Sequence, residues 1–282
     1  MTESVEETFF DEAFNGQVEE VLSLLRDNPG LNVNWNDNNY LRYTALHVAS
    51  ENGQDEVVKV LLAHPHISVN MKDRDGFTPF SHGCLNGEVF IVQLMLKDPR
   101  VDISLADNHG CTPLWRASYW GYHEVVEWLI ASGRDLGDIN KQKGKSGGKE
   151  YTALDIARKR KKNEWSLVAS LLEKIFTDPE QTRYEIRLKL GLPEALAAGV
   201  FALTIFLCEG LLQLKPVQAS NQTAAARFFT LARRLPMELQ MILCHRVVGS
   251  VKESILAKDS EPAFKNLARI LLFESLFSQR QF

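Results

Sequence analysis

Residues 78–96 read TPFSHGCLNGEVFIVQLML, and stretches of the same design begin 34 residues before and after them. They are TALHVASENGQDEVVKVLL at 44–62 and TPLWRASYWGYHEVVEWLI at 112–130. The Thr that opens each stretch and the Gly at its tenth position recur at this same spacing. One unit has therefore been copied along the chain, which indicates a repeat architecture.

Each unit carries the signals of two helices. Thr is a favoured N-cap, and Pro79 and Pro113 occupy the next position, where a helix needs no amide donor. The Gly at the tenth position adopts positive φ readily, so it ends the first helix and reverses the chain. After it, apolar residues recur at helical spacing: Val57, Val58, Leu61, Leu62; Ile91, Val92, Met95, Leu96; Val125, Val126, Leu129, Ile130. The pattern predicts turn, helix, loop and helix, with Leu62, Leu96 and Leu129 in the core.

These residues together resemble the ankyrin repeat. The resemblance rests on Thr44-Ala45-Leu46-His47, Thr78-Pro79-Phe80, Thr112-Pro113-Leu114 and the second helices of the Val-Val-x-x-Leu-Leu type. It extends from about Glu7 to Phe176, with a degenerate first unit around Gly16 and a degenerate last unit from Thr152. It implies an all-α solenoid of five antiparallel helix pairs joined by hairpin turns.

The last units depart from the family pattern. The histidine of the family's TPLH motif is present only as His47, and Ser81, Trp115 and Asp155 replace it. The sequence therefore does not predict whether the inter-repeat hydrogen bond of that histidine forms at those three positions. In the last unit Asn163 is expected to take the role of the closing Gly. An insertion at 141–149 predicts a long, mobile hairpin before that unit.

After Asp178-Pro179 the 34-residue period stops, and longer unequal apolar segments predict an all-helical tail. We therefore predict a repeat domain at 1–176 and a helical domain at 177–282. Within the tail, one stretch is similar to the opening of an F-box: Leu235, Pro236, Glu238, Leu239 and Leu243. That similarity implies an alternative function, a ubiquitin-ligase substrate receptor that binds a Skp1-type adaptor. Ordinary helix-start chemistry explains the same residues.

Composition excludes several classes of partner. The formal net charge of −4 provides no basic field for nucleic acid. The longest uncharged stretch, 195–208, is too short to span a bilayer. The start MTESVEETFF lacks the features of a secretory signal, and four scattered cysteines suit reduced thiols. We expect a protein of the cytosol or nucleus. The basic run 158–162 fits either an import signal or a solvated helix face.

Residues that could carry catalysis form no constellation. Gly144-Lys145-Ser146 resembles the end of a phosphate loop, but Ile139 stands where that loop requires Gly. The histidines and cysteines show no metal-ligand or nucleophile spacing. The sequence therefore predicts a protein that is not an enzyme and needs no cofactor or metal.

The resemblance implies a protein-interaction scaffold that binds its partner on the concave side, which hairpin turns and first helices line. The candidate residues precede each closing Gly or form the hairpin tips: Glu51, Asn52, Leu85, Asn86, Tyr119, Trp120; Arg74, Asp75, Phe77, Asn108, His109 and Cys111. Aromatic residues are frequent energetic anchors of interfaces, so Tyr119 and Trp120 are the expected anchors. Alternatively, these two rings pack on the 141–149 insertion.

Overall fold

The structure is a computed structural model. It describes residues 4–37, 41–160, 163–208 and 237–247, together with 228, 229, 232, 235, 255 and 263. The chain divides into two compact units, Met1–Ile186 and Arg187–Phe282.

The described part of the first unit contains the five predicted helix pairs. They are α1 (Val5–Asn15) with α2 (Val18–Asp27), α3 (Ala45–Glu51) with α4 (Asp55–Ala63), α5 (Pro79–Asn86) with α6 (Val89–Lys97), α7 (Pro113–Trp120) with α8 (His123–Ser132), and α9 (Ala153–Lys159) with α10 (Asn163–Thr177). A further helix, α11 (Pro179–Lys189), follows. The all-α repeat solenoid is confirmed.

The first helices begin and end by the predicted chemistry. The Thr78 hydroxyl accepts the amide of Ser81 at 3.2 Å, and Thr112 accepts that of Trp115 at 3.2 Å. Thr44 and Thr152 cap α3 and α9 in the same way. The glycines that follow α3, α5 and α7 have φ of 68°, 76° and 81°, where a Cβ would be strained. Local capping therefore sets the length of each first helix.

The core positions of the second helices differ from the expectation at two places. Leu129 is fully buried, as predicted. In the two preceding repeats the fully buried residues are Leu61 and Met95, whereas Leu62 and Leu96 are only partly buried. These core residues all lie eight positions after the closing Gly, so the expected register at Leu62 and Leu96 was wrong by one residue.

The insertion before the last repeat is an ordered hairpin. Strands β1 (Gly144–Ser146) and β2 (Lys149–Tyr151) pair antiparallel, with Gly144 opposite Tyr151. The amide of Lys145 donates to the carbonyl of His109 at 3.3 Å, which attaches the hairpin to the preceding turn. The predicted hairpin is therefore present, and its backbone hydrogen bonds extend the regular turn of the repeat.

The predicted role of Asn163 is also corrected. Asn163 is the first residue of α10 and does not have the positive φ of the other closing residues. Trp165 instead packs on Gly121 and donates its indole N–H to the carbonyl of Tyr119 at 2.9 Å. Gln54 makes the same bond at the first repeat, where its amide donates to the Phe14 carbonyl at 3.2 Å. The last repeat thus packs on the glycine of its neighbour in the same way as the earlier repeats do.

Asparagine side chains join neighbouring repeats on the side of the second helices. Asn34 donates to the carbonyl of His66, and Asn70 donates to the carbonyl of Arg100, each at 2.7 Å. Each bond satisfies a carbonyl of the following repeat. The repeats are thus connected by polar bonds as well as by their shared apolar core.

The described part of the second unit is helical. Helices α12 (Leu192–Cys208) and α13 (Met237–Val247) pack together, with the Thr204 hydroxyl 4.0 Å from the Cys244 sulfur. Within the described residues, no helix has both the length and the apolar character that crossing a membrane requires. The unit boundary after Ile186 lies ten residues beyond the expected domain end at Phe176, because the first turns of α11 group with the repeats.

Candidate protein-binding surface

An aspartate organises each of the two regular hairpin tips. The Asp73 carboxylate accepts the amides of Asp75 and Phe77 at 2.9 and 2.8 Å. Asp107 accepts the amides of His109 and Cys111 at 2.8 and 3.1 Å. These bonds fix the backbone of each turn. The predicted tip residues Arg74, Asp75, Asn108 and His109 are consequently exposed, whereas Phe77 is partly buried and Cys111 is buried.

Backbone and amide bonds join the tips into a continuous ridge. The Asn108 amide donates to the Asp75 carbonyl, and its side chain donates to the Arg74 carbonyl, both at 3.0 Å. The Arg74 amide in turn donates to the Leu41 carbonyl at 2.7 Å. The side chain of Asn108 therefore forms a hydrogen bond within the ridge. The neighbouring side chains of Arg74, Asp75 and His109 are exposed.

The residues seven and eight positions after each Thr cap are here called the helix-end pairs. The second member is exposed in the three predicted pairs, Glu51–Asn52, Leu85–Asn86 and Tyr119–Trp120, and the first member is partly buried. Asn52 and Asn86 donate to the carbonyls of Val48 and His82 at 2.8 and 3.2 Å. Both amides thus help to end their own helices. Trp120 cannot do so, and 45% of its surface is exposed.

Tyr119 lies between two other groups of the surface. Its ring stacks on Trp115 with centroids 5.2 Å apart and an interplanar angle of 19°. The guanidinium of Arg160 lies 3.8 Å from its centroid on the ring face. These contacts partly bury Tyr119, and the adjacent Trp120 ring meets it edge-on at 5.3 Å. The two predicted aromatic anchors therefore differ: Tyr119 is partly buried by its neighbours, and Trp120 is the more exposed of the two.

The prediction omitted a fourth helix-end pair, Lys159–Arg160, and the adjacent Tyr151. Counting from the cap Thr152 gives these residues the places of Tyr119–Trp120 and Phe77 in the preceding repeats. The Lys159 ammonium bonds the Tyr151 hydroxyl at 2.8 Å, at the edge of the β2 strand. The pair was missed because the last unit has no closing Gly from which to count backwards. The distance from the cap Thr could have identified it.

In two repeats, the residue at the position of the family histidine joins its first helix to the hairpin of the next repeat. His47 donates from Nε2 to the Phe77 carbonyl at 3.2 Å, while its Nδ1 accepts from the Thr44 amide at 3.1 Å. Trp115 occupies the same position two repeats later, and its indole donates to the Tyr151 carbonyl at 2.8 Å. Trp115 therefore forms the inter-repeat hydrogen bond that the sequence left undecided at this position. Ser81 and Asp155 instead bond to their own cap threonines.

Titratable groups surround His47. His82 donates from Nε2 to the Asp73 carboxylate at 2.9 Å, and the Tyr43 ring lies 5.7 and 4.8 Å from the two imidazoles. Burial, followed by the nearby His82, lowers the pKa of His47 to about 4. Burial alone would raise the pKa of Asp73, but its hydrogen bonds to His82 and the Phe77 amide lower it. His47 is therefore neutral and Asp73 ionised at neutral pH.

The Cys111 side chain faces the insertion hairpin. A Cβ added at Gly144 would lie 2.5 Å from its sulfur and 2.8 Å from Cε2 of Trp115. Only a glycine fits beneath the indole at this point. Burial raises the pKa of the Cys111 thiol to about 11, so the thiol is neutral and unreactive at neutral pH.

A family model described as ankyrin repeats (3 copies) matches residues 12–73 and 66–143. These segments are ankyrin repeats. Ankyrin repeats are generally protein-interaction modules and are typically not enzymes. No curated protein has significant similarity to this chain. Among the described residues there is no cluster of ligands suited to a metal ion.

The F-box similarity of the tail is not confirmed. Pro236 lies outside the described residues, and the side chain of Glu238 is likewise not described. Leu239 is 48% exposed on α13, whereas Leu235 and Leu243 are partly buried. The described geometry thus leaves one apolar side chain of the predicted set largely exposed.

Proposed function

We propose that this chain is an interaction scaffold that binds a partner protein across its hairpin tips and helix-end pairs. The observation that supports this most directly is Trp120. It is a large exposed aromatic at a position where the two preceding repeats carry asparagines that close their own helices. Rigid aromatic side chains at the centre of an interface commonly contribute the largest share of its binding energy.

The neighbours of Trp120 favour its use as an anchor. Tyr119 and Arg160 both lie next to the Trp120 ring. The Tyr119 ring meets it edge-on, and the Arg160 guanidinium is 5.9 Å from its centroid. The side chain is therefore positioned in advance, which reduces the entropy lost on binding. The exposed tips of Arg74, Asp75 and His109 supply polar groups at the other edge. This arrangement matches an apolar centre with a polar rim.

Site-specific photocross-linking tests the proposal. A benzophenone amino acid is placed at Trp120 in one protein and at Phe90 in another, and cross-linked proteins are identified from cells. Phe90 is the matched control, because it is 71% exposed but lies on a second helix. A partner captured from position 120 and absent from position 90 is expected.

The captured partner is then purified and its affinity measured. Trp120→Ala should weaken binding by about thirtyfold or more, with the free energy of unfolding unchanged within about 0.5 kcal/mol. Phe90→Ala should leave binding unchanged. Equal binding by Trp120→Ala and the unaltered chain would contradict the proposed surface.

The substrate-receptor alternative rests on the exposed Met237 and Leu239 of α13, which are 57% and 48% exposed. Such residues suit an apolar contact with a Skp1-type adaptor. Mixing the purified chain with the adaptor and measuring complex formation by native mass spectrometry distinguishes the two functions. The receptor role requires a complex that Leu239→Asp abolishes.

We expect the chain to act in the cytosol or nucleus. Cys84, Cys111 and Cys244 are buried free thiols, which suits a reducing compartment. Microscopy of the tagged chain, with and without the basic run 158–162, distinguishes the two compartments.

A further inference from the structure

The helix-end pairs change character in order along the repeats. The sequence of pairs is Glu51–Asn52, Leu85–Asn86, Tyr119–Trp120 and Lys159–Arg160. The surface therefore runs from an acidic end, through apolar and aromatic residues, to a basic end. A partner segment that follows the repeats would meet these properties one after another.

The Arg160 guanidinium lies against aromatic rings at the last helix-end pair. It lies 3.8 Å from the Tyr119 centroid and 5.7 Å from that of Trp165. Rings on its faces orient the group and leave its N–H edges as the polar contact. Within the described residues, no side-chain acceptor bonds this guanidinium.

Neighbouring arginines at the same surface are already neutralised. Arg116 donates from Nε to the Asp107 carboxylate at 2.8 Å. Arg158 donates from two nitrogens to Glu173 at 3.0 and 2.8 Å. Both arginines are thus paired with a carboxylate of the described chain. Arg160 has no such carboxylate in the described part of the chain.

The insertion hairpin adds positive charge at the same end. Lys145 and Lys149 are exposed, one on each strand, and neither forms an ion pair with the described residues. Glu150 lies opposite Lys145, so the two strands together carry one net positive charge. Lys159 lies 4.4 Å from the ring of Tyr151, which connects α9 to this hairpin. Because these cations and Arg160 share one end of the repeats, their fields add.

We propose that the partner segment is an acidic peptide, with a carboxylate bound by Arg160 and an adjacent apolar side chain on Trp120. This assignment rests on the proposed function, because it uses the same surface. A carboxylate accepts two parallel N–H bonds from a guanidinium, and a preoriented guanidinium favours this geometry. Nucleic acid is disfavoured because it carries a phosphate at every nucleotide and would meet Glu51, Asp75 and Glu150 along this surface, whereas a peptide can place a single carboxylate at Arg160.

Selection from a displayed library of random 12-residue peptides, with the full chain as target, tests the proposal. Enrichment of Asp and Glu next to an aromatic or aliphatic residue is expected. Synthetic peptides of the selected sequences are then titrated against Arg160→Gln, Arg160→Lys and the matched control Arg158→Gln. Arg160→Gln and Arg158→Gln change the net charge equally, so only a local contact distinguishes them.

Arg160→Gln should weaken peptide binding at least about tenfold, and Arg160→Lys should weaken it less. Arg158→Gln should have little effect, and added salt should weaken binding by the unaltered chain. Circular dichroism and thermal melting of each variant identify any loss of folding. If Arg160→Gln fails to fold, the double variant Lys145→Gln, Lys149→Gln on the exposed hairpin supplies the test, and unchanged peptide binding then contradicts the proposal.

Four results overturn the acidic partner in different ways. Selected peptides that need Trp120 but show no acidic enrichment leave the proposed surface intact and remove its charge preference. Equal weakening by Arg160→Gln and Arg158→Gln assigns the effect to net charge alone. Peptides that bind independently of both Trp120 and Arg160 place the binding site elsewhere and also contradict the proposed function. Tighter binding of a 12-nucleotide single-stranded DNA than of any peptide would make the surface a nucleic-acid site.

Discussion

The indole N–H of Trp115 donates to the carbonyl oxygen of Tyr151 at 2.8 Å, in the place where His47 bonds the Phe77 carbonyl at 3.2 Å. Two different ring donors thus satisfy the carbonyl that precedes the next cap threonine. The bond is preserved across the six extra residues of the insertion because the hairpin lengthens beyond it and its base stays in register.

Removing this donor should destabilise the last repeat. Trp115→Phe leaves the Tyr151 carbonyl without its partner and opens a small cavity beside the smaller ring. The free energy of unfolding in urea should therefore fall by at least about 2 kcal/mol. The comparison is Trp120→Phe, which should change stability by less than about 0.5 kcal/mol because that ring is half exposed. Equal stabilities of the two variants would mean that neither the indole bond nor the packing of Trp115 contributes to stability.

The buried positions of the second helices give a prediction about register. Leu61→Ala should cost about 2 to 5 kcal/mol, because the side chain is fully buried and leaves a cavity. Leu62→Ala, at a partly buried position, should cost only about 1 kcal/mol. Chemical denaturation of the two single variants measures the difference. The reverse order would restore the register expected from sequence.

The buried His47 should make stability depend on pH. Its folded-state pKa of about 4 lies below the ordinary value of 6.5, so the unfolded chain takes up the proton first as the pH falls. The contribution of neutral His47 is complete above about pH 6.5 and should fall by about 2 to 4 kcal/mol towards pH 4. Asp73, with its lowered pKa, stays ionised through most of this range.

His47→Gln provides the comparison, because its amide can donate to the Phe77 carbonyl without titrating. Urea denaturation at several pH values between 4 and 7 should give a shallower decline for this variant. His82 is present in both proteins, so the difference between the curves reports His47 and its interaction with His82. Parallel curves would show that His47 does not resist protonation in the folded state.

The end of the repeat domain can be located by truncation. Thr182 is 4% exposed, and Arg183 donates to the Ile130 carbonyl at 3.4 Å, so α11 covers part of the last repeats. We expect residues 1–186 to unfold cooperatively and residues 1–176 to melt at a lower temperature. Calorimetry of the two truncated chains checks this. Equal melting temperatures would favour the domain end at Phe176.

Much of the repeat fold could be predicted because its signals are local. A Thr cap, a closing Gly and a helical apolar period each act within one turn of helix, so they can be identified one unit at a time. Leu62 and Leu96 were misplaced because two adjacent apolar residues satisfy that period equally well. Only packing against the neighbouring repeat selects Leu61 and Met95.

The surface was less accessible to sequence reasoning because it depends on contacts between units. The Arg160 guanidinium is oriented by the Tyr119 ring, and that contact joins two different repeats. Likewise, the Trp165 ring of the last repeat lies over Gly121 of the preceding one, a contact that the residues of a single unit do not reveal. A unit that lacks a closing Gly can therefore be interpreted only together with its neighbour.

The close fit of Gly144 beneath Trp115 also constrains how this protein can evolve. Gly144 stands at the base of its hairpin, where Asp73 and Asp107 stand in the two preceding repeats. An aspartate at 144 would collide with the indole, and a histidine at 115 would leave a void over the bare glycine. Each single replacement is therefore expected to destabilise the hairpin more than the two replacements made together. On this basis, positions 115 and 144 should change together in related sequences.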